Sequence, residues 1–507
     1  MHLQKKKNSS GSISVQIRQR SSKGSQLIKT IGCSKNQLEI EKFLREGEKE
    51  IERIKGQQEI IFEISKEKEL VDLFFDHIED IALIGPELLL GRLYDEIGFN
   101  AINEELFKHL VITRLIYPVS KLKTVDYLYK YKGVEISVDS IYRYLDKLHK
   151  HQKDQVQEIS FKHTLQILER KLSVVFYDVT TLYFEASEED ELRKAGFSKD
   201  GKHQQPQIVL GLLVSAGGYP IDYNIFEGNK YEGDTMLPVI EHFEKKHKLD
   251  QLIVVADAGL LSNKNVSLLI EKHYQFILGA RIKNESEPIK EHILKLKLND
   301  GASECLEKEN SQRLIISYTT SRAKKDAHNR KRGLEKLEKS LNSGKLNKQH
   351  INNKGYNKYL KLEGKISVAI DYEKYNDDAK WDGLKGYLTN TQLKKEDVIE
   401  QYMQLWNIEK TFRISKSDLR IRPIYHHLKR RIEAHICIAF TACKIYKELE
   451  RQLKVKESEL SPQKVIDIIK TIYQLTITTP YSNNKYTRLI IKNNDQHLVL
   501  QMFGLKI

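Results

Sequence analysis

An apolar run that ends in a carboxylate limits how this chain can fold more than any other stretch does. It lies in VVFYDVTTLYFE, where the four apolar residues Val174 to Tyr177 lead directly into Asp178. The β-branched and aromatic content predicts a buried strand over 173–178, with a second strand over 181–185. A carboxylate at the end of a buried run is unfavourable unless it is hydrogen-bonded, paired or bound to a metal. Asp178 is therefore predicted to be a site residue rather than a solvated turn residue.

A second apolar run ends in the same way. In QLIVVADAG, Leu252 to Ala256 lead into Asp257, and Gly259 follows at a turn. If the two strands are parallel neighbours, Asp178 and Asp257 lie at one sheet edge, where open α/β sheets form their ligand sites. Two carboxylates at such a short distance repel each other unless a cation holds them together. Because no Cys or His cluster lies nearby, the all-oxygen donor set predicts Mg²⁺ or Mn²⁺.

A third acid lies in the helical segment 396–420. At about 100° per residue, five of its side chains fall within about 80° of one another on one face: Tyr402, Leu405, Glu409, Phe412 and Lys416. Most of this face is apolar, so Glu409 is predicted to be buried and to meet a charge. One explanation is an ion pair with Lys416 or Arg413. The other is that two strand-end aspartates and a helical glutamate hold two divalent ions for in-line displacement at phosphorus.

Composition narrows the class of protein and of partner. A chain of 507 residues is too long to fold around a single hydrophobic core, so several domains are predicted. Lys and Arg total 84 against 70 Asp and Glu, a formal charge of +14, which favours nucleic acid as the partner. The four cysteines lie far apart, as expected in a reducing cytosol, and none has zinc-site spacing. With no signal-peptide pattern and no apolar run of membrane-spanning length, we expect a soluble, cytoplasmic protein with no membrane partner.

The pattern along the chain predicts six segments. They are a β-hairpin and charged helix (1–69), a helical domain (70–170), a mixed-sheet core (171–283), a β-rich insertion (284–390), a second part of the core with the Glu409 helix (391–450) and a C-terminal helical tail (451–507).

The stretch SVDSIYRYLDKL in the helical domain is similar to the second helix of a helix-turn-helix. Ser137 or Asp139 is predicted to cap it, and its apolar face comprises Ile141, Tyr144, Leu145 and Leu148. Tyr142, Arg143 and Lys147 then point outward, toward DNA phosphates or base edges. The alternative is an ordinary helical hairpin with a charged outer face.

Several motifs together resemble the DDE transposases of bacterial insertion sequences. Tyr402, Glu409 and Lys416 have the spacing of the cut-and-paste branch, whose pattern is Y-two-R-three-E-six-K. The DVTTLYFE and ADAG blocks match around the first and second aspartates. Further matching stretches are FSKDGKHQQPQIVLGLLV, FEGNKYEGDT, WDGLKGYLTNT and RIRPIYHHLKRRIEAHI. The resemblance extends from about residue 110 to about residue 450 and departs at Leu405, where the pattern has Arg.

The resemblance implies an α/β fold with a ribonuclease-H-like core, a β-rich insertion and a preceding helical DNA-binding region. It further implies that Asp178, Asp257 and Glu409 ligate two Mg²⁺ (or Mn²⁺) ions. The expected reaction is cleavage at the element's ends and transfer of the 3′-hydroxyls into target DNA. The implied partners are double-stranded DNA, as terminal inverted repeats and as target, and a second copy of the chain in a synaptic homodimer. The expected location is the bacterial cytoplasm, on the nucleoid when bound to DNA.

The resemblance also implies DNA contacts. Lys416 is assigned to the phosphate near the cleaved bond, and Tyr402 either does the same or packs in the core. Arg413 either substitutes for the arginine that Leu405 replaces or faces the core. Lys199 and Lys202, in a polar loop, are expected to line the DNA channel; the alternative is a solvated loop.

Two other functions compete with this interpretation. The sequence FYDVTT is similar to phosphoaspartyl hydrolases, but these require an Asp where Thr180 stands, which argues against that chemistry. The second alternative is a catalytically inactive or domesticated DNA-binding protein with the same fold, and the presence of all three acids counts against it.

Overall fold

The computed structural model describes residues 1–21, 24–55, 66–170, 172–186, 188–198, 201–202, 204–249, 252–352, 355–363, 367–479 and 484–505. The chain divides into two compact units. The smaller comprises Met1–Glu79 and Ile477–Tyr486, and the larger Asp80–Thr476 and Thr487–Ile507. Within the described ranges, no helix has the length and apolar character needed to cross a membrane.

The smaller unit is built on a three-stranded antiparallel sheet. Its elements are β1 (His2–Lys7), β2 (Ile13–Ser21), β3 (Gly24–Ser34), α1 (Gln37–Ile54) and α2 (Lys66–Asp76). The hairpin predicted within residues 1–69 is confirmed as β2 and β3, and β1 adds a strand that was not predicted. The charged helix expected to follow the hairpin ends at Ile54, and residues 56–65 lie outside the described part of the chain.

Helices dominate the start of the larger unit. They are α3 (Arg92–Ile97), α4 (Glu105–Ile116), α5 (Lys121–Lys132), α6 (Val138–Lys147) and α7 (Lys153–Ile167). The prediction that the segment from residue 70 is helical throughout was wrong, because β4 (Ile78–Leu83) is a strand. Ser137 caps α6 by accepting a hydrogen bond from the backbone N–H of Ser140, as predicted. The predicted apolar face of α6 is buried.

The centre of the larger unit is an eight-stranded mixed sheet. Its strands are β5 (Val174–Tyr183), β6 (Gln207–Ser215), β7 (Pro220–Glu227), β8 (Ile253–Ala256), β9 (Gln275–Ala280), β10 (Ser303–Glu307), β11 (Arg313–Tyr318) and β14 (Leu384–Thr389). Their order is β10-β11-β14-β9-β8-β5-β6-β7. The β5–β8 and β8–β9 pairs are parallel, and the other pairs are antiparallel.

One prediction about this sheet needs correction. The stretch 174–183 is one continuous strand rather than two, so Asp178 lies inside β5 and not at its end. Three strands of the predicted insertion 284–390, namely β10, β11 and β14, extend the sheet beyond β9. The rest of that segment comprises α10 (Glu287–Lys295), α11 (Thr320–Asn342), α12 (Tyr372–Asp378) and the hairpin of β12 (Leu360–Glu363) and β13 (Ser367–Ile370). Helices α8 (Met236–His247) and α9 (Asn263–Glu271) connect the core strands.

The segment 396–420 is not one continuous α-helix. It begins in α13 (Lys395–Met403), is interrupted at Gln404, and resumes as α14 (Leu405–Arg413). A π-helical turn over Ile414–Asp418 follows, so regular 100° spacing does not extend to Lys416. The chain ends in α15 (Lys429–Val455), α16 (Pro462–Ile469), β15 (Tyr473–Thr478), β16 (Lys485–Ile490) and α17 (Asn494–Met502). The predicted all-helical tail therefore contains two strands, which form a small sheet in the order β16-β15-β4.

Candidate active site

Strand alternation places both aspartates on the same face of the sheet. Phe176 of β5 and Val255 of β8 pack into the core formed with α13, α14 and α15, whereas Tyr177 and Ala256 pack into the opposite core with α8 and α9. Side chains two positions apart share a face. Asp178 and Asp257 therefore project to the side that α13 and α14 cover.

Register places the two aspartates side by side. Tyr177 pairs with Ala256 in the parallel β5–β8 ladder, and each aspartate is the next residue along its strand. Adjacent strands are separated by about 4.8 Å, so the two carboxylates project from neighbouring positions. The predicted parallel pairing is confirmed. The two aspartates do not both follow the end of a strand, however, because β8 ends at Ala256 whereas β5 continues past Asp178. Asp178 is half-buried and Asp257 is exposed.

Glu409 reaches this region on α14. This helix packs on β5 through a face that includes Leu405, Ile408 and Phe412, all of which are buried. The prediction that Glu409 is buried within this face was wrong, because its side chain is exposed. Arg413 is also exposed, and its positive charge opposes the rise that burial causes in the pKa of Asp418. Arg413 and Glu409 do not form an ion pair with each other in the structure.

Tyr402 holds Asp257 by a hydrogen bond. Its buried hydroxyl donates to Asp257 Oδ1 at 3.0 Å. Gly279 makes the approach possible, because a Cβ there would lie 2.3 Å from Tyr402 Oη and 2.9 Å from the backbone nitrogen of Ala258. Burial and the nearby Asp257 carboxylate raise the pKa of Tyr402, so the phenol keeps its proton and remains a donor. Tyr402, predicted to contact DNA or to pack in the core, thus packs in the core and orients an acid.

Lys385 is a site residue that the sequence analysis missed. Its ammonium lies 4.4 Å from the centre of the Tyr402 ring and 5.5 Å from that of Tyr387. Burial lowers the pKa of Lys385, whereas attraction to Asp257 and Glu409 opposes the shift. The Lys385 charge is therefore attracted toward both carboxylates, without a direct ion pair to either, and is repelled by Arg322. Alternation in LKGYLT was the available signal, since it places Lys385 and Tyr387 on one face.

A cavity of about 830 Å³ opens beside these residues. Asp257, Lys385 and Tyr402 line one end of it, and side chains of α11 and of the segment that follows line the other. Several of its lining residues are cationic: Arg281, Lys283, Arg322, Arg330, Lys358 and Lys385. Some of this charge is neutralised locally, because Arg330 is paired with Asp382 and Lys358 with Asp378.

The other predicted DNA contacts are dispersed. Arg143 is exposed on α6, and Lys147 forms an ion pair with Glu104. Tyr142 is half-buried beneath Arg431, whose guanidinium lies 4.8 Å from the centre of its ring.

Of the three remaining predicted DNA contacts, two belong to the polar loop and one to the π-helical turn. Lys202 is exposed, with its ammonium 5.6 Å from the centre of the Tyr183 ring, and Lys199 lies outside the described residues. Lys416 is half-buried in the π-helical turn after α14.

The donor chemistry of the three acids suits a hard divalent cation, since carboxylate oxygens are its preferred ligands. Across the described ranges, no three His, Cys, Asp or Glu side chains lie close enough together to hold a metal ion. Asp178 and Asp257 lie on neighbouring strands, and Tyr402 holds the Asp257 carboxylate by a hydrogen bond. Glu409 is exposed on α14, so its side chain is not fixed by a packed core. The three residues therefore offer the oxygen donors that such a cation requires, with Glu409 as the ligand that has to move toward the two aspartates.

Comparison with known proteins assigns the family. A family model described as "Transposase DDE domain" matches residues 169–443, more than half of the 507-residue chain and all three acids. The chain belongs to this transposase family. No curated protein matches the transposase at the level of sequence.

Two solved structures resemble the transposase distantly. The piggyBac transposase, in a synaptic complex with hairpin DNA, is 10% identical over 79% of each chain, with a TM-score of 0.38. The Mos1 transposase, in a paired-end complex with the left transposon end, is 11% identical over 31% of this chain and 53% of that chain, with a TM-score of 0.16. The family assignment rests on the sequence match.

Proposed function

We propose that this DNA transposase binds the ends of its element, cleaves the DNA there and joins the 3′-hydroxyl ends to target DNA. One observation carries the proposal: Asp178 and Asp257 project from neighbouring positions on parallel strands, on the sheet face that α14 covers with Glu409. The core order β7-β6-β5-β8-β9, with β6 antiparallel to its neighbours, supports a ribonuclease-H-like fold.

The proposed metal ligands are Asp178, Asp257 and Glu409, with Mg²⁺ or Mn²⁺ as the ions. Two such ions, when bound, activate the attacking oxygen and stabilise the leaving oxygen at phosphorus. The chain's own contribution is to fix the ligands. Tyr402 holds the Asp257 carboxylate in one orientation, and Gly279 provides the space for the phenol.

Lys385 balances the charge of the site in the absence of ligands. It interacts with Asp257 and Glu409 from a half-buried position beneath α13. Two carboxylates facing each other without a cation repel, and a nearby ammonium reduces this repulsion. In the reaction, the same ammonium is available to a DNA phosphate.

Double-stranded DNA is the proposed partner, both as terminal inverted repeats and as target. The formal charge of +14 favours a polyanion. The proposed DNA contacts are Arg143 and Lys147 on α6, Lys202, Arg413 and Lys416. Bringing two element ends together calls for a synaptic homodimer.

The test is Mg²⁺-dependent cleavage of DNA that carries the terminal repeats flanking the gene. Asp257→Asn is expected to reduce the cleavage rate by roughly a thousand-fold, because metal stabilisation of the transition state contributes several kcal/mol. DNA affinity should stay within about twofold, as should cleavage by the control Asp495→Asn, which changes an exposed aspartate of α17.

Two results would contradict the proposal. Unchanged cleavage by Asp257→Asn would remove Asp257 from the site. Wild-type protein that binds the repeats but does not cut them with Mg²⁺ or Mn²⁺ would identify an inactive DNA-binding copy.

A further inference from the structure

The first 34 residues of the chain carry an unusual charge distribution. They contain seven Lys and Arg residues and no Asp or Glu, and the first carboxylate along the chain is Glu39. These residues include β1, β2 and β3. The helix that follows, α1, carries six glutamates. The β1-β2-β3 sheet is therefore basic and free of carboxylates, which begin along the chain in α1.

One face of this sheet is covered by α1. A Cβ at Gly47 of α1 would lie 2.4 Å from Leu3 of β1, and a Cβ at Gly32 of β3 would lie 2.5 Å from the Phe43 ring. Such close approach shows that helix and sheet are in direct contact. Leu3 pairs with Ile17, which is fully buried, so the side chains of this row face α1.

The opposite face is not covered by α1 and is mainly polar and basic. Along β2 it carries Ser14, Gln16, Arg18 and Arg20, since these positions alternate with the buried Val15 and Ile17. The adjacent strands add Gln4 and Lys6 from β1 and Thr30 from β3, together with the exposed Leu27, which pairs with Arg18. Most of these side chains are exposed or half-buried.

Arg18 lies at the centre of this face with part of its hydrogen-bonding capacity unused. Its Nη1 donates to Gln4 Oε1 at 2.9 Å. Its Nε is buried and has no hydrogen-bond partner among the described residues. The Arg18 side chain as a whole is half-buried, so the part of its guanidinium that solvent reaches, in a sheet without carboxylates, is suited to an external acceptor.

From this placement we propose that the open face of the β1-β2-β3 sheet is a second DNA-binding surface, docked into the major groove of double-stranded DNA. The groove admits β-structure, and Arg and Gln are the side chains that read guanine and adenine edges there. Lys6 and Arg20, toward the ends of the face, are placed to contact phosphates. The absence of carboxylates removes repulsion from the DNA backbone.

This proposal rests on the proposed function only in taking DNA as the polyanion that binds. The sheet face is separate from the DNA contacts proposed on α6. Its test uses the full chain in EDTA, without metal, so that binding is measured separately from cleavage. If the protein binds DNA but does not cleave it, the proposed function fails, yet this binding measurement can still be made.

The experiment compares two triple variants that each remove three positive charges from the smaller unit. One changes the open face (Lys6→Gln, Arg18→Gln, Arg20→Gln), and the other changes exposed lysines on or beside α1 (Lys35→Gln, Lys42→Gln, Lys49→Gln). The readout is the slope of log Kd against log salt concentration for a duplex containing the terminal repeat. The open-face variant should lose about 2 to 3 units of slope and about 10- to 100-fold in affinity, while the α1 variant should change by less than about 0.5 unit.

Three outcomes would overturn the proposal. An unchanged slope in the open-face variant would show that the face does not contact DNA. Equal losses in both variants would show a general effect of net charge. Tighter binding of single-stranded RNA than of duplex DNA, abolished by the same open-face variant, would assign the face to RNA.

A crosslinking measurement covers the case of a misfolded variant. A photoreactive amino acid at Gln16, at the centre of the open face, should crosslink to bound duplex DNA, and the same group at Lys42 on α1 should not. Crosslinking from Lys42 alone would also contradict the proposal.

Discussion

Among single residues, three neighbours that are not themselves acidic influence the position and charge of the three acids. Tyr402 donates a hydrogen bond to Asp257, Gly279 leaves room for the phenol, and Lys385 interacts with two of the acids at once. A hydrogen bond to a charged acceptor is stronger than one between neutral groups. These neighbours are therefore expected to tune the site without acting as ligands.

Removing the Tyr402 hydroxyl should weaken catalysis while leaving the fold intact. Tyr402→Phe loses one hydrogen bond to a carboxylate, worth about 1.5–3 kcal/mol, which corresponds to roughly 10- to 100-fold in cleavage rate. Tyr387→Phe is the matched control, because the Tyr387 hydroxyl bonds to Ser317 and not to an acid. Single-turnover cleavage at saturating Mg²⁺ measures both. Equal rates for the two variants would contradict the positioning role of Tyr402.

Removing the Lys385 charge should make the site bind metal more readily. An ammonium that interacts with Asp257 and Glu409 competes with a divalent cation for the same carboxylates. Lys385→Met is expected to lower the Mg²⁺ concentration for half-maximal cleavage about three- to tenfold, equivalent to about 1 kcal/mol of screened repulsion. The control is Lys283→Met, since Lys283 lines the same cavity but is paired with Asp378 at 2.6 Å. A higher Mg²⁺ requirement in Lys385→Met would mean that the ammonium orders the acids instead.

At the scale of elements, the position of α14 determines where Glu409 lies. The helix begins after the interruption at Gln404 and packs against the turn Ala216–Gly218. Thr411 of α14 donates a hydrogen bond to the carbonyl oxygen of Gly218 at 3.1 Å. The turn thus sets the distance between the helix carboxylate and the sheet carboxylates.

Two adjacent glycines of this turn allow a controlled displacement of α14. Gly217 and Gly218 have φ values of +80° and +79°, so an alanine at either costs about 1 kcal/mol or more in backbone strain. Only a Cβ at Gly218 would meet α14, at 3.0 Å from Asn407 Cβ. Gly218→Ala is therefore expected to slow cleavage about 10- to 100-fold more than Gly217→Ala at similar loss of stability. Cleavage rates and urea unfolding measure the two effects, and equal rates would show that the spacing of α14 does not limit catalysis.

At the scale of the whole molecule, a buried lysine of α15 makes stability depend on pH. Lys444 donates hydrogen bonds to the Ser160 carbonyl oxygen and to Thr164, which join α15 to α7. Burial lowers the pKa of Lys444 from 10.5 to about 7. Below pH 7, both the folded and the unfolded chain are protonated, and the folded chain bears the full cost of a buried charge. Between pH 7 and 10.5 only the unfolded chain stays protonated, so the stability of the wild-type protein rises with pH.

Replacing this lysine should raise the free energy of unfolding at low pH, and this gain over the wild type should shrink as the pH rises. Lys444→Met is expected to gain roughly 1–4 kcal/mol at pH 6. That gain should shrink by up to about 1.4 kcal/mol per pH unit above neutrality. Thr164 retains its bond to the Ser160 carbonyl oxygen, so no buried acceptor is left without a partner. Urea unfolding at several pH values measures the effect, with the exposed Lys454→Met as control. A gain that does not vary with pH would contradict the burial of a charge at Lys444.

Local patterns in the sequence determined much of this protein. Apolar runs predicted the core strands, and the spacing around Glu409 together with the DVTTLYFE and ADAG blocks led to the transposase family that the sequence match assigns. Alternation along β5 and β8 is a property of the strands themselves, so the shared level of Asp178 and Asp257 followed once the strands were taken as parallel neighbours.

The surroundings of the three acids depend on how distant segments of the chain pack together. The exposure of Glu409, the break at Gln404 and the addition of β10, β11 and β14 to the sheet depend on packing between segments far apart in the sequence. The hydrogen bond from Tyr402 to Asp257 likewise joins residues that lie 145 positions apart in the sequence. A periodic pattern reports which side of an element is apolar, but which side chains meet across two elements is set by long-range packing.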